Sequence, residues 1–184
     1  HCKKYYFSVG SLKRVVWLAI WLMLHLGYGQ EDEVILWSPI KKLAWSDFKD
    51  KPSNISNAAA ITASGITYSF SAQVTKDKME LDFKVDTHFY PDKSWYKPKL
   101  ANPIILSHEQ LHFDISEVYA RKFRQILAKT KFTNNAKSEV KAIYRNILRE
   151  LNDYQNQYDS ETNFSRDTVQ QLIWNKKIKK ALNN

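Results

Sequence analysis

The sequence predicts an α+β domain in which an antiparallel β-sheet, formed by the first half, packs on a helical second half. Between Ile66 and Phe89, apolar and polar residues alternate with the period of two that is typical of half-buried strands. From about Ile104 onward, apolar residues recur at steps of three and four, as on one face of a helix. Gly65 is the only glycine after residue 29, which argues against a loop-rich or disordered chain.

The first residues have the features of a signal peptide. A positively charged start is followed by an apolar run from Val15 to Leu26, long enough for a signal-peptide core and short for a membrane span. Gly27 and Gly29 are placed like the −3 and −1 positions of a cleavage site. We therefore expect a signal peptide over residues 1–29, a single domain over 30–184, and export to the periplasm or the outside of the cell. An uncleaved membrane anchor is the alternative.

In the first half, Val34–Trp37 is predicted to form a short strand, and Trp45–Pro52 a connection that contains a turn. Two alternating runs follow, separated by Thr75–Lys78, and predict a hairpin. The residues expected on its inner face are Ile66, Tyr68, Phe70, Ala72, Val74, Met79, Leu81, Phe83, Val85, Thr87 and Phe89. Pro91 and Pro98 then indicate a loop that contains Trp95.

Three helices are predicted in the second half, over about 104–128, 140–158 and 167–182. Asn102-Pro103 precedes the first of them. The second has a clear apolar stripe at Val140, Ile143, Tyr144, Ile147, Leu151, Tyr154 and Tyr158. The third is expected to turn Val169, Leu172, Ile173 and Ile178 toward the core.

The charge and the cysteine content limit the kinds of partner and covalent bond expected for this chain. Four of the 28 basic residues and none of the 19 acidic ones precede the expected cleavage point, so the net charge falls from +9 to +5. The densest basic cluster, Lys176, Lys177, Lys179 and Lys180, is interpreted as a solvated helix face, and no nucleic-acid motif accompanies it. We expect no nucleic-acid partner, no stable membrane insertion after cleavage and a monomer. The one cysteine, Cys2, would be removed, leaving no disulfide.

The motif that indicates chemistry is His108-Glu109-Gln110-Leu111-His112. On a helix, His108 and His112 lie one turn apart and about 40° around the axis, so both imidazoles can bind one zinc ion. Glu109, beside the first histidine, can take a proton from the zinc-activated water and return it to a leaving amine. The sequence therefore predicts zinc as the cofactor, with His108 and His112 as ligands and Glu109 as the catalytic base.

A third ligand must come from another segment. Asp114 and Glu117 face away from His108 on the same helix and are expected to pair with Arg121. His88 is interpreted as a surface residue. The best candidates follow the second helix, where Asp159 or Glu161 could supply an oxygen ligand. Tyr158 could stabilise an oxyanion, but it also completes the apolar stripe and a core position is favoured.

Several segments resemble a bacterial family called domain of unknown function 922, whose members are described as zinc-dependent proteases. The similar segments are Leu43–Phe48, Ile61–Ser69, Ser94–Trp95, His108–Ile115, Tyr119–Arg121 and Tyr158–Asn163. They cover nearly all of the chain after residue 29, and the last is similar to the family's Tyr-Asp-x-x-Thr pattern. The chain departs from the family at Phe164, where a histidine often stands. If that histidine is a ligand, Asp159 or Glu161 replaces it here, or catalysis is weak or absent.

The first functional hypothesis is therefore an exported zinc metallopeptidase of zincin-like architecture, which hydrolyses peptide bonds with a zinc-activated water. Zinc would be held by His108, His112 and Asp159, and a peptide could lie along an exposed strand of the hairpin. The alternative is a non-catalytic exported domain with a structural or degenerate zinc site. A weaker third hypothesis is a cell-envelope binding module that uses Trp37, Trp45 and Trp95.

Overall fold

A computed structural model describes residues 33–75 and 78–183, which form two small antiparallel sheets and three α-helices. The predicted α+β class is confirmed. The predicted signal peptide lies outside the described residues. Within the described part of the chain, no helix is both long and apolar enough to cross a membrane.

The larger sheet is built on the predicted hairpin. Strand β3 (Ser64–Thr75) pairs antiparallel with β4 (Lys78–Phe89), from Ser64 opposite Phe89 to Thr75 opposite Lys78. The short strand β1 (Ile35–Leu36) pairs with the other side of β4, giving the order β1-β4-β3. Period-two patterning places Ile66, Val85 and Phe89 in the interior.

A second sheet replaces the loop expected around Trp95. Strand β2 (Ala60–Ile61) pairs antiparallel with β5 (Trp95–Tyr96). Each strand has only two residues, too short for an alternating pattern to be recognised in the sequence. Single-turn 3₁₀ helices at Trp45–Asp47 and Pro91–Lys93 complete this half, the first within the predicted turn-bearing connection.

The helices are α1 (Pro103–Lys129), α2 (Ala136–Glu161) and α3 (Thr168–Asn183), close to the predicted ranges. Helix α1 begins as expected, with Pro103 in its first turn and the Asn102 side chain accepting hydrogen bonds from the backbone of Ile104 and Ile105. Helix α1 contacts both other helices and strands β2, β3 and β4. The segment from Leu111 to Glu117 is therefore buried almost all round.

The prediction for the inner face of α3 was wrong. Val169, Leu172 and Ile173 are exposed, whereas Gln171, Trp174 and Ile178 are buried. Trp174 packs on Tyr154 and Tyr158 of α2, and its large ring sets the rotation of the helix. The stripe predicted on α2 is confirmed by the buried side chains of Val140, Ile147, Leu151 and Tyr158.

The three tryptophans of the envelope-binding hypothesis are engaged in packing. Trp95 is buried, and Trp37 and Trp45 are partly buried. The Trp37 indole donates to Asp114 Oδ1 at 2.7 Å, and Trp45 stacks on Tyr96. None of these rings is freely exposed for a ligand, and the packing removes support from that hypothesis.

A buried carboxylate joins α1 to the hairpin. Glu117 is almost fully buried and accepts hydrogen bonds from Thr87 Oγ1 (2.7 Å), Arg121 Nε (3.1 Å) and Arg124 Nη1 (3.0 Å). Arg124 also donates to the Val85 carbonyl on β4. The predicted Glu117–Arg121 pair is confirmed. Asp114 instead accepts from Trp37, Lys42 and Gln110, so its predicted pairing with Arg121 was wrong.

We expect Glu117→Gln to lower the free energy of unfolding by about 2–3 kcal/mol, because it leaves two arginines and the Thr87 hydroxyl with weaker partners. This loss of stability is smaller than for a fully buried ion pair, because both arginine side chains reach solvent. Glu150→Gln, which disrupts the exposed pair with Lys122, is the control and should cost less than about 1 kcal/mol. Urea denaturation measures both, and equal losses would contradict the prediction.

Candidate metal centre

Helices α1 and α2 bring three potential metal ligands together. His108 and His112 occupy successive turns of α1, and Asp159 lies near the end of α2. Asp159 Oδ1 is 3.0 Å from His108 Nε2 and 2.9 Å from His112 Nε2, and the two Nε2 atoms are 3.2 Å apart. The ligand atoms of these three side chains lie within 4.8 Å of one another, close enough to hold one metal ion. Such a group of His, Cys, Asp or Glu side chains is found at this place among the described residues.

The spacing of these atoms fits zinc. Bonds of about 2.0–2.1 Å to a tetrahedral zinc ion place neighbouring ligand atoms roughly 3.3 Å apart. The three separations fall within a few tenths of an ångström of that value. Two imidazoles and one carboxylate are also the donor set of zinc sites that keep a fourth position open.

Two glutamines orient the imidazoles. His108 Nδ1 donates to Gln171 Oε1 at 2.9 Å, and His112 Nδ1 donates to Gln155 Oε1 at 2.8 Å. Each amide is fixed by its own donor group: Gln155 Nε2 donates to Ser116 Oγ, and Gln171 Nε2 donates to the Tyr158 hydroxyl. With one proton held on each Nδ1, both Nε2 atoms face Asp159, where they can donate to the carboxylate or, after losing the Nε2 proton, bind a metal ion.

Charge inside the site favours a cation. Burial alone would lower the pKa of His112. The hydrogen bond to Asp159 and the nearby negative charge of Glu109 have a larger combined effect, so the pKa of His112 lies above its usual value. Burial raises the pKa of Asp159, but the hydrogen bonds from both histidines hold it well below its usual range. Asp159 therefore remains ionised, as a metal ligand must be.

Glu109 lies at the same site without being part of the ligand group. It is 5% exposed, and no described side chain hydrogen-bonds its carboxylate. Together with His108, His112 and Asp159 it lines a groove of about 730 Å³. A carboxylate without a hydrogen-bond donor, beside a possible metal-binding group and facing a groove, is available to exchange a proton with a bound molecule.

The remaining candidates lie elsewhere. Glu161 accepts from Gln157 Nε2 and Trp174 Nε1 and is not part of the possible metal-binding group, which contains Asp159. Tyr158 is fully buried and donates to the His108 carbonyl, which is the core position favoured by the sequence. Burial raises its pKa strongly. His88 lies on β4, where its Nε2 atom hydrogen-bonds Thr67, and is not part of the group.

An unusual turn follows Asp159. Asn163, Phe164 and Ser165 all have positive φ angles, of 47°, 53° and 72°. This left-handed conformation costs a non-glycine residue about 1–2 kcal/mol. The turn is tied to α2 by the Phe164 N–H, which donates to the Asp159 carbonyl at 2.8 Å. It places Phe164 on the wall of the groove, with its side chain 60% exposed.

Strand β2 also lines the groove, and no further strand among the described residues pairs with its side away from β5. The Lys97 N–H donates to the Ala59 carbonyl, and Ala60 lies opposite Tyr96. Hydrogen-bonded and non-hydrogen-bonded positions alternate in an antiparallel pair, so the N–H and C=O of Ala60 point away from β5. Ala60 lines the groove, and Thr62 Oγ1 ties this strand to α1 through the Glu109 carbonyl.

Residues 58–166 match a family described as a bacterial protein of unknown function, DUF922. The chain belongs to this family. The DUF922 segment contains the edge strand, the three potential ligands, Glu109 and the left-handed turn, whereas α3 lies beyond it. No curated protein and no solved structure matches the chain significantly.

The sequence reasoning missed Gln155 and Gln171. Gln155 had a recognisable signal, because it precedes Asp159 by one turn and shares its face of α2. Gln171 had none, since it lies on a helix whose orientation was predicted wrongly. Its burial is tolerated because His108, Tyr158 and Asn175 satisfy its amide.

We expect Gln155→Met to weaken zinc binding about 10- to 100-fold, because His112 Nδ1 loses the acceptor that fixes its ring. Competition with a chromophoric chelator measures the affinity. Gln157→Met, on the exposed side of the same helix, is the control. Unchanged affinity in Gln155→Met, with an unchanged melting temperature of the metal-free protein, would show that the glutamine does not orient the ring.

Proposed function

We propose that this DUF922 protein is a zinc-dependent metallopeptidase in which His108, His112 and Asp159 hold the metal ion. The observation that carries the proposal is the triangle of two imidazole Nε2 atoms and one carboxylate oxygen, with sides of 2.9–3.2 Å. The glutamine acceptors on both Nδ1 atoms support it, since they direct both Nε2 atoms into the triangle.

Zinc bound there would supply Lewis-acid chemistry, lowering the pKa of water and polarising a peptide carbonyl. Glu109 would accept the proton of the attacking water and then donate it to the leaving amine. Asp159 and the two histidines would hold their positions without exchanging protons. Tyr158 takes no part, because its hydroxyl donates to the His108 carbonyl and accepts from Gln171 Nε2.

The groove supports a peptide as the substrate. An extended chain could lie along β2 on the side away from β5, and it would then run past Glu109 and the metal-binding group. The strand proposed to bind the peptide is therefore β2. From the sequence, the peptide was expected on a strand of the hairpin, and that placement is not part of the proposal. A zincin-like architecture is part of the proposal, because an edge strand lies beside the helix that carries the histidines.

Export also remains a proposal. Its support is the basic start and the apolar run between Val15 and Leu26. A periplasmic or extracellular location would fit a peptidase that acts on peptides or proteins outside the cytoplasm, with no role for nucleic acid.

The test is hydrolysis of a mixed peptide library, analysed by mass spectrometry, before and after removal of zinc. We expect one zinc ion per chain, loss of cleavage on chelation and recovery when zinc is restored. A protein that binds zinc and melts at a lower temperature without it, but cleaves no peptide, would instead be the non-catalytic domain of the alternative hypothesis.

A further inference from the structure

Building on the proposed peptidase function, we propose that the groove selects peptides with a large apolar side chain beside the scissile bond. Phe164 is the residue that makes this selection. Four observations support the inference: exposed apolar side chains in the groove, the backbone conformation of Phe164, the free space in the groove and the hydrogen bond between the Phe164 N–H and the Asp159 carbonyl.

Large apolar side chains are exposed inside the groove. Ile61, Leu100 and Phe164 are 42%, 50% and 60% exposed, and Ile105 is partly buried. Apolar surface on a concave wall is characteristic of ligand sites. Here the wall is continuous with Glu109 and the metal-binding group, so its occupant is the peptide chain that these groups would cleave.

The conformation of Phe164 argues against a structural reason for its bulk. Its φ angle of 53° favours glycine, which adopts that region without steric cost. The phenyl ring belongs to neither of the two buried apolar clusters, and no described aromatic ring packs on it. The chain therefore retains a large side chain where neither backbone nor core requires one, and backbone strain of this kind is typical of binding sites.

The groove that Phe164 lines has space for an apolar side chain of a substrate. Ala58, Ala59 and Ala60 line the groove with small side chains, and its volume of about 730 Å³ suits a short peptide segment. The Phe164 N–H donates to the carbonyl of Asp159, which ties the backbone of Phe164 to the residue that carries a potential metal ligand. A substrate side chain that contacts this ring would therefore lie close to the scissile bond.

Binding to metal-free protein tests the inference without relying on hydrolysis. Two blocked peptide libraries, with a central Phe in one and Ala in the other, are titrated into the protein and followed by NMR. We expect about ten-fold tighter binding of the Phe library. Phe164→Gly should remove this difference without lowering the melting temperature, and Leu172→Ala, an exposed apolar residue of α3 outside the groove, should retain it.

Equal or undetectable binding of both libraries to the wild-type protein would overturn the inference. So would a preference that survives in Phe164→Gly, or a melting temperature that falls in this variant, because the ring would then have a structural role. Zinc-loaded protein separates the two proposals. Cleavage that depends on Glu109 but shows no apolar preference contradicts only the role of Phe164. Apolar binding without any cleavage contradicts only the peptidase function.

Discussion

Glu109→Gln is expected to lower kcat for peptide cleavage by about 100- to 10,000-fold, the contribution of a positioned general base. The amide has nearly the same shape as the carboxylate but cannot accept the proton of water. Glu109 receives no hydrogen bond from the described side chains, so its replacement by a neutral group does not break a polar network. Zinc content should remain at one ion per chain, since Glu109 is outside the ligand group.

The measurement is kcat with a peptide identified from the library, together with zinc content and melting temperature. Glu150→Gln, an exposed glutamate in the middle of α2, serves as the matched control and should keep full activity. If Glu109→Gln cleaved the peptide as fast as the wild-type protein, the proposed mechanism would be wrong, whatever the metal content.

The histidine pair could be predicted from sequence because its geometry is local. A spacing of four residues on a helix fixes the relative position of two side chains, whatever the rest of the fold does. The hairpin was equally accessible, since alternation over 12 residues in each strand defines its two faces. The start of α1 followed from Asn102 and Pro103, which act within one turn.

The parts that could not be predicted depend on tertiary contacts. Asp159 and Glu161 are two residues apart and point to opposite sides of α2, so only the rotation of that helix decides which one faces α1. The edge strand β2 is defined by its pairing with β5 across more than 30 residues. The inner face of α3 was predicted wrongly because a glutamine is usually expected on the exposed side of a helix. In the structure Gln171 is buried, and His108 and Tyr158 are its hydrogen-bond partners in the interior.

Asp159→Asn is expected to weaken zinc binding roughly 100- to 1,000-fold, which is one ligand's share of the binding free energy of a four-ligand zinc site. The variant keeps the size of the side chain and removes the negative charge. The buried metal ion and its two histidine ligands then have no carboxylate beside them to compensate the positive charge. Calorimetric titration of the metal-free protein, or competition with a chelator, measures the affinity.

Glu161→Gln is the matched control, because Glu161 was the other carboxylate that the sequence allowed. Its partners are Gln157 and Trp174, so zinc affinity should change less than about three-fold, within the effect expected for a distant surface charge. The opposite pattern, with affinity lost in Glu161→Gln and kept in Asp159→Asn, would require α2 to rotate by about half a turn. Such a rotation would expose Tyr158, which the present packing buries completely between His108 and Trp174.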